Sequence, residues 1–403
     1  MAAVRYPVDA LRRLAPPATA KVAGRIIAAE PRRALLVDAS GTLELQFTSL
    51  EVEAGAWVVA LGKWTGSALE TTEIEVASRP ARAFPVPGGE WLRLHDGGVL
   101  EKLKTRAAVR TAVRRYFDER AFLEVETPLA VPSPGLDLHL AAVEAVGLAD
   151  RRWLVTSPEY QMKRLLAGGM SRIYQLARCL RRGEQGAQHE PEFTMLEWYR
   201  AFAGSEEIMR DTEELVASVA RALFDGSTRI PGRGRTIDVA PPWKRITVAD
   251  AFRGIAGVPL EAVLPDEERF FRILVERIEP GLGYPKPVFL TRWPASMASL
   301  ARLAPEDPRF ADRVEAYVDG LEISNGFGEL IDPEEQRARL WRDRAERRRT
   351  GLDDYPIDER FLAALEEGLP PSGGNALGLD RLVMLMTGAT SIDQVLAVPQ
   401  SRL

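Results

Sequence analysis

Residues 172–200 read RIYQLARCLRRGEQGAQHEPEFTMLEWYR. An apolar run of strand length leads through a polar, glycine-bearing turn into a second run, so the chain goes out and comes back. On the returning strand Glu192, Thr194, Leu196 and Trp198 point one way, and Phe193, Met195, Glu197 and Tyr199 the other. A strand that only buried one face would not need this mixture of acids and large apolar groups. Glu197 beside Tyr199 offers a carboxylate and a phenol to a cation or a polar head group, and the remainder is core packing.

The elements around this stretch follow the same style. VLEKLKTRAAVRTAVRRYFDERA (99–121) sets Leu103, Val109, Val113 and Phe117 near one face of a long helix. FLEVETP (122–128) and WLVTSP (153–158) are strand candidates. VFLTRWPAS, RVEAYVDGLEISNGFGEL and NALGLDRLVMLMTG complete the set towards the C-terminus. Helices mixed with hairpin-like strands, without regular βαβ alternation, predict an α+β fold. Upstream, KVAGRIIAAE, RALLVDAS, TLELQFTS, WVVALGKW and LETTEIEVAS are five short strands with turns at DASG and KWTG. They predict a small OB-like β-barrel over residues 1–80. Residues 1–90 hold ten Lys/Arg and ten Asp/Glu, a neutral balance that fits a protein-contacting or vestigial module better than a nucleic-acid reader. SRPARAFPVPGG (78–89) reads as a connection, giving a linker over 81–94 and a catalytic domain over 95–403.

With 403 residues, 46% hydrophobic and 28% charged, the composition is that of an ordinary globular protein. There is no apolar run of about 18 residues, so no membrane span is expected. MAAVRYPVDALRRLAPP lacks a long apolar core, and the single cysteine, Cys179, excludes a disulfide framework, so a cytoplasmic setting is expected. Three histidines and one cysteine leave little for a zinc site or a Cys–His nucleophile. Phosphate-loop, dinucleotide, nucleophile-elbow and H-E-x-x-H motifs are all absent.

Acids and arginines are therefore the working parts. Arg181 ends one strand and Arg381 opens a helix after the glycine-bearing GGNALG; the planar fork of each suits phosphate, with a neighbouring carboxylate as the plain alternative partner. Gly374 and Gly378 would let a flat ligand lie close to the backbone. Glu315 and Glu322 could face each other across a hairpin turning at Asp319–Gly320, where they would hold Mg²⁺ beside a polyphosphate or simply be exposed strand acids. Glu329, between Gly328 and Leu330, reads as buried and in want of a cation. Together these describe a site for a triphosphate, Mg²⁺ and a cationic small molecule.

The same residues resemble a known family. RIYQLARCLRRGEQGAQHEPEFTMLEWYR is similar to motif 2 of class II aminoacyl-tRNA synthetases, NALGLDRLVMLM to motif 3, and the helix ending in FLEVETP to motif 1, the dimer-forming element. TSPEYQMKRLLAGG, WPASMASLA and GLEISNGFGEL narrow the resemblance to the lysyl branch and its paralogues, the elongation factor P–lysine ligases, over residues 95–400. The resemblance implies a class II antiparallel sheet flanked by helices, a homodimer, ATP and Mg²⁺. The activity it implies makes an adenylate of lysine or (R)-β-lysine and transfers it to a lysine of elongation factor P.

By the same resemblance Arg181 and Arg381 are catalytic, on the α- and γ-phosphates. Arg182, Glu184, Glu190, Glu322, Ile323 and Gly378 join them in binding ATP, and Glu315 and Glu322 hold Mg²⁺. Ser157, Glu159, Asn325 and Ala376 bind the amino acid, with Tyr199 and Glu329 on its distant ammonium; Glu197 gets less support from the family than from its position. Ala376 stands where lysyl-tRNA synthetases carry glycine, and its methyl tilts the case towards the ligases. The N-terminal strands tilt it back, since lysyl-tRNA synthetases carry such a domain; lysine tRNA as acceptor and a non-catalytic paralogue are the alternatives. Two positions depart from the pattern. Gly183 stands where motif 2 has its glutamate, the acid arriving one place later as Glu184, and Glu190 replaces asparagine after His189. EEQRARLWRDRAERRRTG (334–351) carries seven arginines, read either as a surface for an acidic partner or as a solvated helix of Glu/Arg pairs.

Overall fold

The computed structural model describes residues 5–49 and 51–403, which form two compact units, Met1–Gly98 and Val99–Leu403. All five strands expected in the first unit are present: β1 (Ala18–Glu30), β2 (Arg33–Val37), β3 (Thr42–Gln46), β4 (Trp57–Trp64) and β5 (Ala68–Ser78). Strand β1 pairs with both β2 and β4, β3 pairs with β2 and in parallel with β5, and β5 pairs with β4. The ladders thus form a closed circuit around Val22, Ile26, Leu36, Leu45, Val58 and Leu69. The segment expected as a linker is partly ordered by its own contacts. Residues Glu90–Leu94 form a helical turn, and Trp91 packs edge-on against Phe84.

The second unit is built on one large sheet. Its main helices are α1 (Val99–Asp118), α2 (Glu159–Ala167), α3 (Ser205–Leu223), α4 (Pro333–Arg349), α5 (Glu359–Gly368) and α6 (Leu379–Thr387). Its main strands are β6 (Arg172–Leu180), β7 (Glu192–Ala201), β8 (Val288–Pro294), β9 (Asp307–Val318), β10 (Leu321–Gly328) and β11 (Ser372–Gly378). They run antiparallel in the order β8–β9–β10–β11–β7–β6, with short parallel strands Lys244–Thr247 and Leu123–Glu124 at the two edges. Helices on an antiparallel sheet give the α+β class expected. The 153–158 candidate contributes less than expected. Only Arg152–Leu154 is extended, and Thr156 and Ser157 lead instead into α2.

Alternation on β7 divides the sheet into two faces. Leu196 and Trp198 are fully buried with Val109, Val113 and Phe117 of α1, Leu215 and Val219 of α3, and Leu382 and Val383 of α6. Burial of each such side chain contributes about 1.5–3 kcal/mol, so this face holds the sheet to its helices. Leu103 is only half-buried. The opposite face carries Met195, Glu197 and Tyr199, and it is the one that opens into a cavity.

The β9–β10 hairpin turns where the sequence placed it. Asp319 and Gly320 have φ of 54° and 71°, the left-handed pair of a tight hairpin, and the Asp319 carboxylate accepts the Arg233 amide at 2.7 Å. The register is less simple. The two-residue turn sets Glu322 opposite Tyr317, and a bulge between Ala316 and Tyr317 then sets Glu315 opposite Asn325. Glu315 and Glu322 are therefore diagonal neighbours rather than direct partners.

Candidate active site

A cavity of about 300 Å³ lies on the polar face of the sheet, within the size range of small-molecule sites. Its floor follows from strand register. Gln175, Glu197, Ala376, Asn325 and Glu315 are successive cross-strand partners on β6, β7, β11, β10 and β9, so these residues share one face. Ala376 and Asn325 line the cavity, and the Asn325 Oδ1 atom is buried with no hydrogen-bond partner in the protein.

At one end stand the two arginines. Arg181 donates from Nε to the Thr156 carbonyl at 3.3 Å, approaches Glu184 at 3.6 Å and lies 5.1 Å from the Phe193 ring. Arg381, in the first turn of α6, donates from Nη1 to the Glu322 carbonyl at 2.7 Å and to its carboxylate at 3.3 Å. Its Nη2 donates to His189 Nε2 at 2.7 Å. Burial, with the Arg381 charge beside it, lowers the His189 pKa, so the ring is neutral and free to accept that bond. Both arginines are thus held by carbonyls and a neutral ring as well as by carboxylates. They keep charge to offer an anion.

Glu184, Glu190, Glu322, Ile323 and Gly378 line the same region. The Glu190 carboxylate accepts the Gln400 amide at 3.2 Å, which ties the motif 2 loop to the C-terminal segment. Arg182 turns away: its side chain pairs with Asp353, and its backbone amide donates to the Ala141 carbonyl at 2.7 Å and anchors the loop. Gly183 has φ of 83° and open space where a Cβ would stand, so the loop turns here in a conformation that favours glycine.

Glu322 lines the cavity, whereas Glu315 is buried behind it. The Glu315 carboxylate accepts from Arg313 Nη2 at 2.7 Å and from the Tyr317 hydroxyl at 2.8 Å. Burial, together with the nearby Glu322, pushes its pKa up to about 7 against the pull of Arg313. A carboxylate strained in this way gains from any added cation.

The other end is acidic and closed. Ser157 and Glu159 reach the cavity, while Tyr199, Glu197 and Glu329 lie just behind it. Glu197 accepts from the Ser157 hydroxyl at 2.8 Å and the Tyr199 hydroxyl at 2.7 Å. Burial and the neighbouring Glu159 nevertheless raise its pKa to about 8. The carboxylate–phenol pair read on β7 is therefore real, but it is a buried acid held by two hydroxyls. Gly374 makes the closeness possible, because a Cβ there would stand 2.3 Å from Glu329 Oε1 and 2.3 Å from the Tyr199 ring. Sequence reasoning did not find Lys163. Its fully buried Nζ lies 2.6 Å from both Glu159 and Glu329; the only signal in the chain was its spacing four residues after Glu159 on a helix.

The arginine-rich helix α4 is largely neutralised within the chain. Arg337 binds Glu359 and Glu366, Arg344 and Arg348 bind Asp354, Arg349 binds Glu346, and Arg339 binds Glu335. Arg347 is buried and donates to the Asp137 and Leu140 carbonyls, which supports the loop that borders the cavity. Among the described residues no helix is long and apolar enough to cross a membrane.

Residues 89–402 match the family model described as tRNA synthetases class II (D, K and N). The chain is 40% identical over 315 residues to the elongation factor P--(R)-beta-lysine ligase of Proteus mirabilis, covering 75% of this chain and 96% of that protein. The proteins of the same name from Yersinia enterocolitica and Vibrio cholerae are each 40% identical, over 316 and 330 residues, with the same shares covered. The match takes in almost the whole second unit, with its antiparallel sheet and paired arginines: the chain belongs to the class II tRNA synthetases of the D, K and N group.

Proposed function

We propose that this protein is an ATP-dependent ligase that activates lysine or (R)-β-lysine as an aminoacyl-adenylate and passes it to a lysine side chain of elongation factor P. One observation carries the reading: a single cavity offers two arginines at one end, and Ser157, Glu159 and the unpartnered Asn325 at the other. The acceptor and the isomer come from the names of the relatives.

In this reading ATP is a substrate. The amino-acid carboxylate attacks the α-phosphorus, the bond to pyrophosphate breaks and pyrophosphate leaves. Arg181 stabilises charge on the transferring phosphorus and Arg381 takes the terminal phosphate, so catalysis rests on alignment and fixed charge. Glu184, Glu190, Ile323 and Gly378 border the nucleotide, and Arg182 contributes through its backbone. Ser157, Glu159 and Asn325 orient the reacting end of the amino acid, Ala376 sets the room beside it, and Tyr199 with Glu329 meets the distant ammonium. The acidic pair fits Mg²⁺, since a divalent cation would offset the burial and the Glu322 charge that raise the Glu315 pKa. Glu322 and Glu315 would hold the ion, which when bound screens polyphosphate charge.

We read the closed strand circuit of the first unit as an OB-like β-barrel, residues 81–94 as the connection and the part from 95 onward as the catalytic domain. We further place the protein in the cytoplasm as a homodimer joined through α1. A second reading, lysine tRNA as acceptor, draws on this barrel, because residues before 89 lie outside the family match.

The test offers the protein ATP, Mg²⁺ and each lysine isomer, with elongation factor P and lysine tRNA in one tube. A mass gain on the factor alone is the expected outcome. Charged tRNA instead would make the barrel an RNA reader, and silence in both would leave a paralogue that kept the fold and lost the reaction.

A further inference from the structure

Lys163 is a buried charge to which the proposed mechanism gives no task. It sits on α2 one turn after Glu159, with its side chain fully excluded from solvent, and its Nζ is 2.6 Å from Glu159 Oε1 and 2.6 Å from Glu329 Oε2. Burial works against the ammonium, but the two carboxylates outweigh it and hold the Lys163 pKa above the ordinary lysine value. With both acids ionised the three groups sum to one negative charge. Only Glu159 of the three reaches the cavity.

Lysine is an unusual residue to bury here, since an ammonium is also what the proposed substrate would bring. A carboxylate pair at this spacing with no cation between would repel, and one member would take up a proton. Lys163 favours the ionised form of Glu329 and fixes the direction of both carboxylates, and the ionised triad keeps one negative charge. We infer that Lys163 is a positioning residue that acts through Glu159 and Glu329 and leaves the amino-acid end of the cavity with room for one further cation. This rests on the amino-acid activation proposed above.

The groups facing Glu329 are few. Lys163 and Glu159 approach from α2, Glu197 and Tyr199 from β7, and Asp312 from β9, the last bound by Arg302 at 2.9 Å. Burial pushes Glu329 up to about 7, with Lys163 pulling down and Glu159 and Asp312 pushing up. Loss of the Lys163 charge must raise it further. A cationic substrate binds the ionised form better, so its KM falls as pH rises through this value, and without Lys163 that fall moves to higher pH.

The experiment is amino-acid-dependent ATP–pyrophosphate exchange between pH 6 and 9, with L-lysine and with (R)-β-lysine. It compares the full chain with Lys163→Met, with Lys163→Ala in the presence and absence of methylammonium, and with Lys163→Met combined with Glu329→Gln. Lys163→Met is expected to raise the amino-acid KM about 30-fold while the KM for ATP holds. The pH midpoint of that KM should rise by about one unit or more. Methylammonium should recover about tenfold in Lys163→Ala. The double variant removes both buried charges together, which keeps the comparison open where Lys163→Met alone fails to fold, and its amino-acid KM should lie within about threefold of that of Glu329→Gln alone, the remainder acting through Glu159. An unmoved midpoint, a proportional rise in both KM values, or additive losses in the double variant would each overturn the proposal and leave Lys163 a packing residue. Silence of the unaltered protein with every isomer would instead overturn the amino-acid activation, and the role of Lys163 with it.

Discussion

The two ends of the cavity use opposite means to hold charge. At the arginine end the charges are partly exposed and held mostly by neutral groups, with Arg381 on a carbonyl, a neutral histidine and the Glu322 carboxylate at 3.3 Å, and Arg181 on a carbonyl and an acid 3.6 Å away. At the acidic end Lys163, Glu329, Glu197 and Tyr199 are buried, and short contacts fix Lys163 Nζ, Glu329 Oε2, both Glu197 oxygens and the Tyr199 hydroxyl, while Glu329 Oε1 has no hydrogen-bond partner. A polyphosphate brings several charges and much hydration, so a partly solvated set of forks can receive it with little rearrangement. An amino acid is small, and the discrimination needed at one ammonium comes from preorganised, desolvated groups. One end is built to stabilise charge that moves, the other to recognise charge that stays.

If the ends are separable in this way, Arg381→Ala should show the largest effect on rate and almost none on recognition. The kcat of pyrophosphate exchange should fall about 10²–10³-fold, with the amino-acid KM held within about threefold. Steady-state kinetics with both substrates varied gives the answer. A rise in amino-acid KM matching the fall in kcat would break the comparison, because Arg381 would then also be shaping the acidic end through Glu322.

Ala376 stands between the two, on the β11 strand that pairs with both Asn325 and Glu197. Ala376→Gly removes one methyl from the floor, and the ratio of kcat/KM for (R)-β-lysine over L-lysine should fall by about 5- to 100-fold. Unchanged discrimination would mean that the isomer is chosen by the acidic end alone.

The acidic end should also declare itself in stability. Glu197 has an ordinary value of 4.5 and a folded value of about 8, so between these pH values the folded chain holds a proton that the unfolded chain has lost. Stability from this residue is therefore greatest at low pH and declines as pH rises from about 4.5 through 8, by at most roughly 1.4 kcal/mol per unit. Glu315 and Glu329 are pushed in the same direction, so the signal is the difference between the unaltered protein and Glu197→Gln. Denaturant melts across that range should show the Gln variant with the shallower decline; parallel curves would mean that Glu197 stays ionised throughout.

The same contrast explains what could be read without coordinates. The Asp319–Gly320 turn, the two faces of β7 and the five N-terminal strands rest on local rules of turn chemistry and alternation, and all are present. Arg181 and Arg381 were visible because motifs carry them, and the structure brings both to one cavity. The buried end was not legible in the same way. Lys163 meets Glu329 only through the packing of α2 against the end of β10, a contact with no trace in spacing. The two-residue turn sets Glu322 opposite Tyr317 and so two places from Glu315, and nothing in LEISNG announces the extra residue, Ile323, that moves Glu315 opposite Asn325. On α4 the Glu/Arg pairs read at helical spacing are present as Glu335–Arg339 and Glu346–Arg349, whereas Asp354 and Glu359, which bind Arg344, Arg348 and Arg337, lie beyond the helix in sequence and could not be read from it.

Arg182 offers the smallest effect and the sharpest check on how local the arginine end is. It neighbours Arg181 in the chain, and the family resemblance groups the two, but its side chain reaches outward to Asp353 on the protein surface. An exposed ion pair of this kind contributes about 0–1 kcal/mol. Arg182→Ala should therefore lower stability by less than about 1 kcal/mol and leave the KM for ATP within about twofold, since the backbone amide that holds the loop to Ala141 is untouched. Thermal melts and ATP titration of the exchange rate measure both quantities. A KM for ATP raised tenfold would mean that the side chain swings inward when nucleotide arrives. The arginine end would then be assembled by its ligand, in contrast to the acidic end, where Lys163 holds the carboxylates before any substrate arrives.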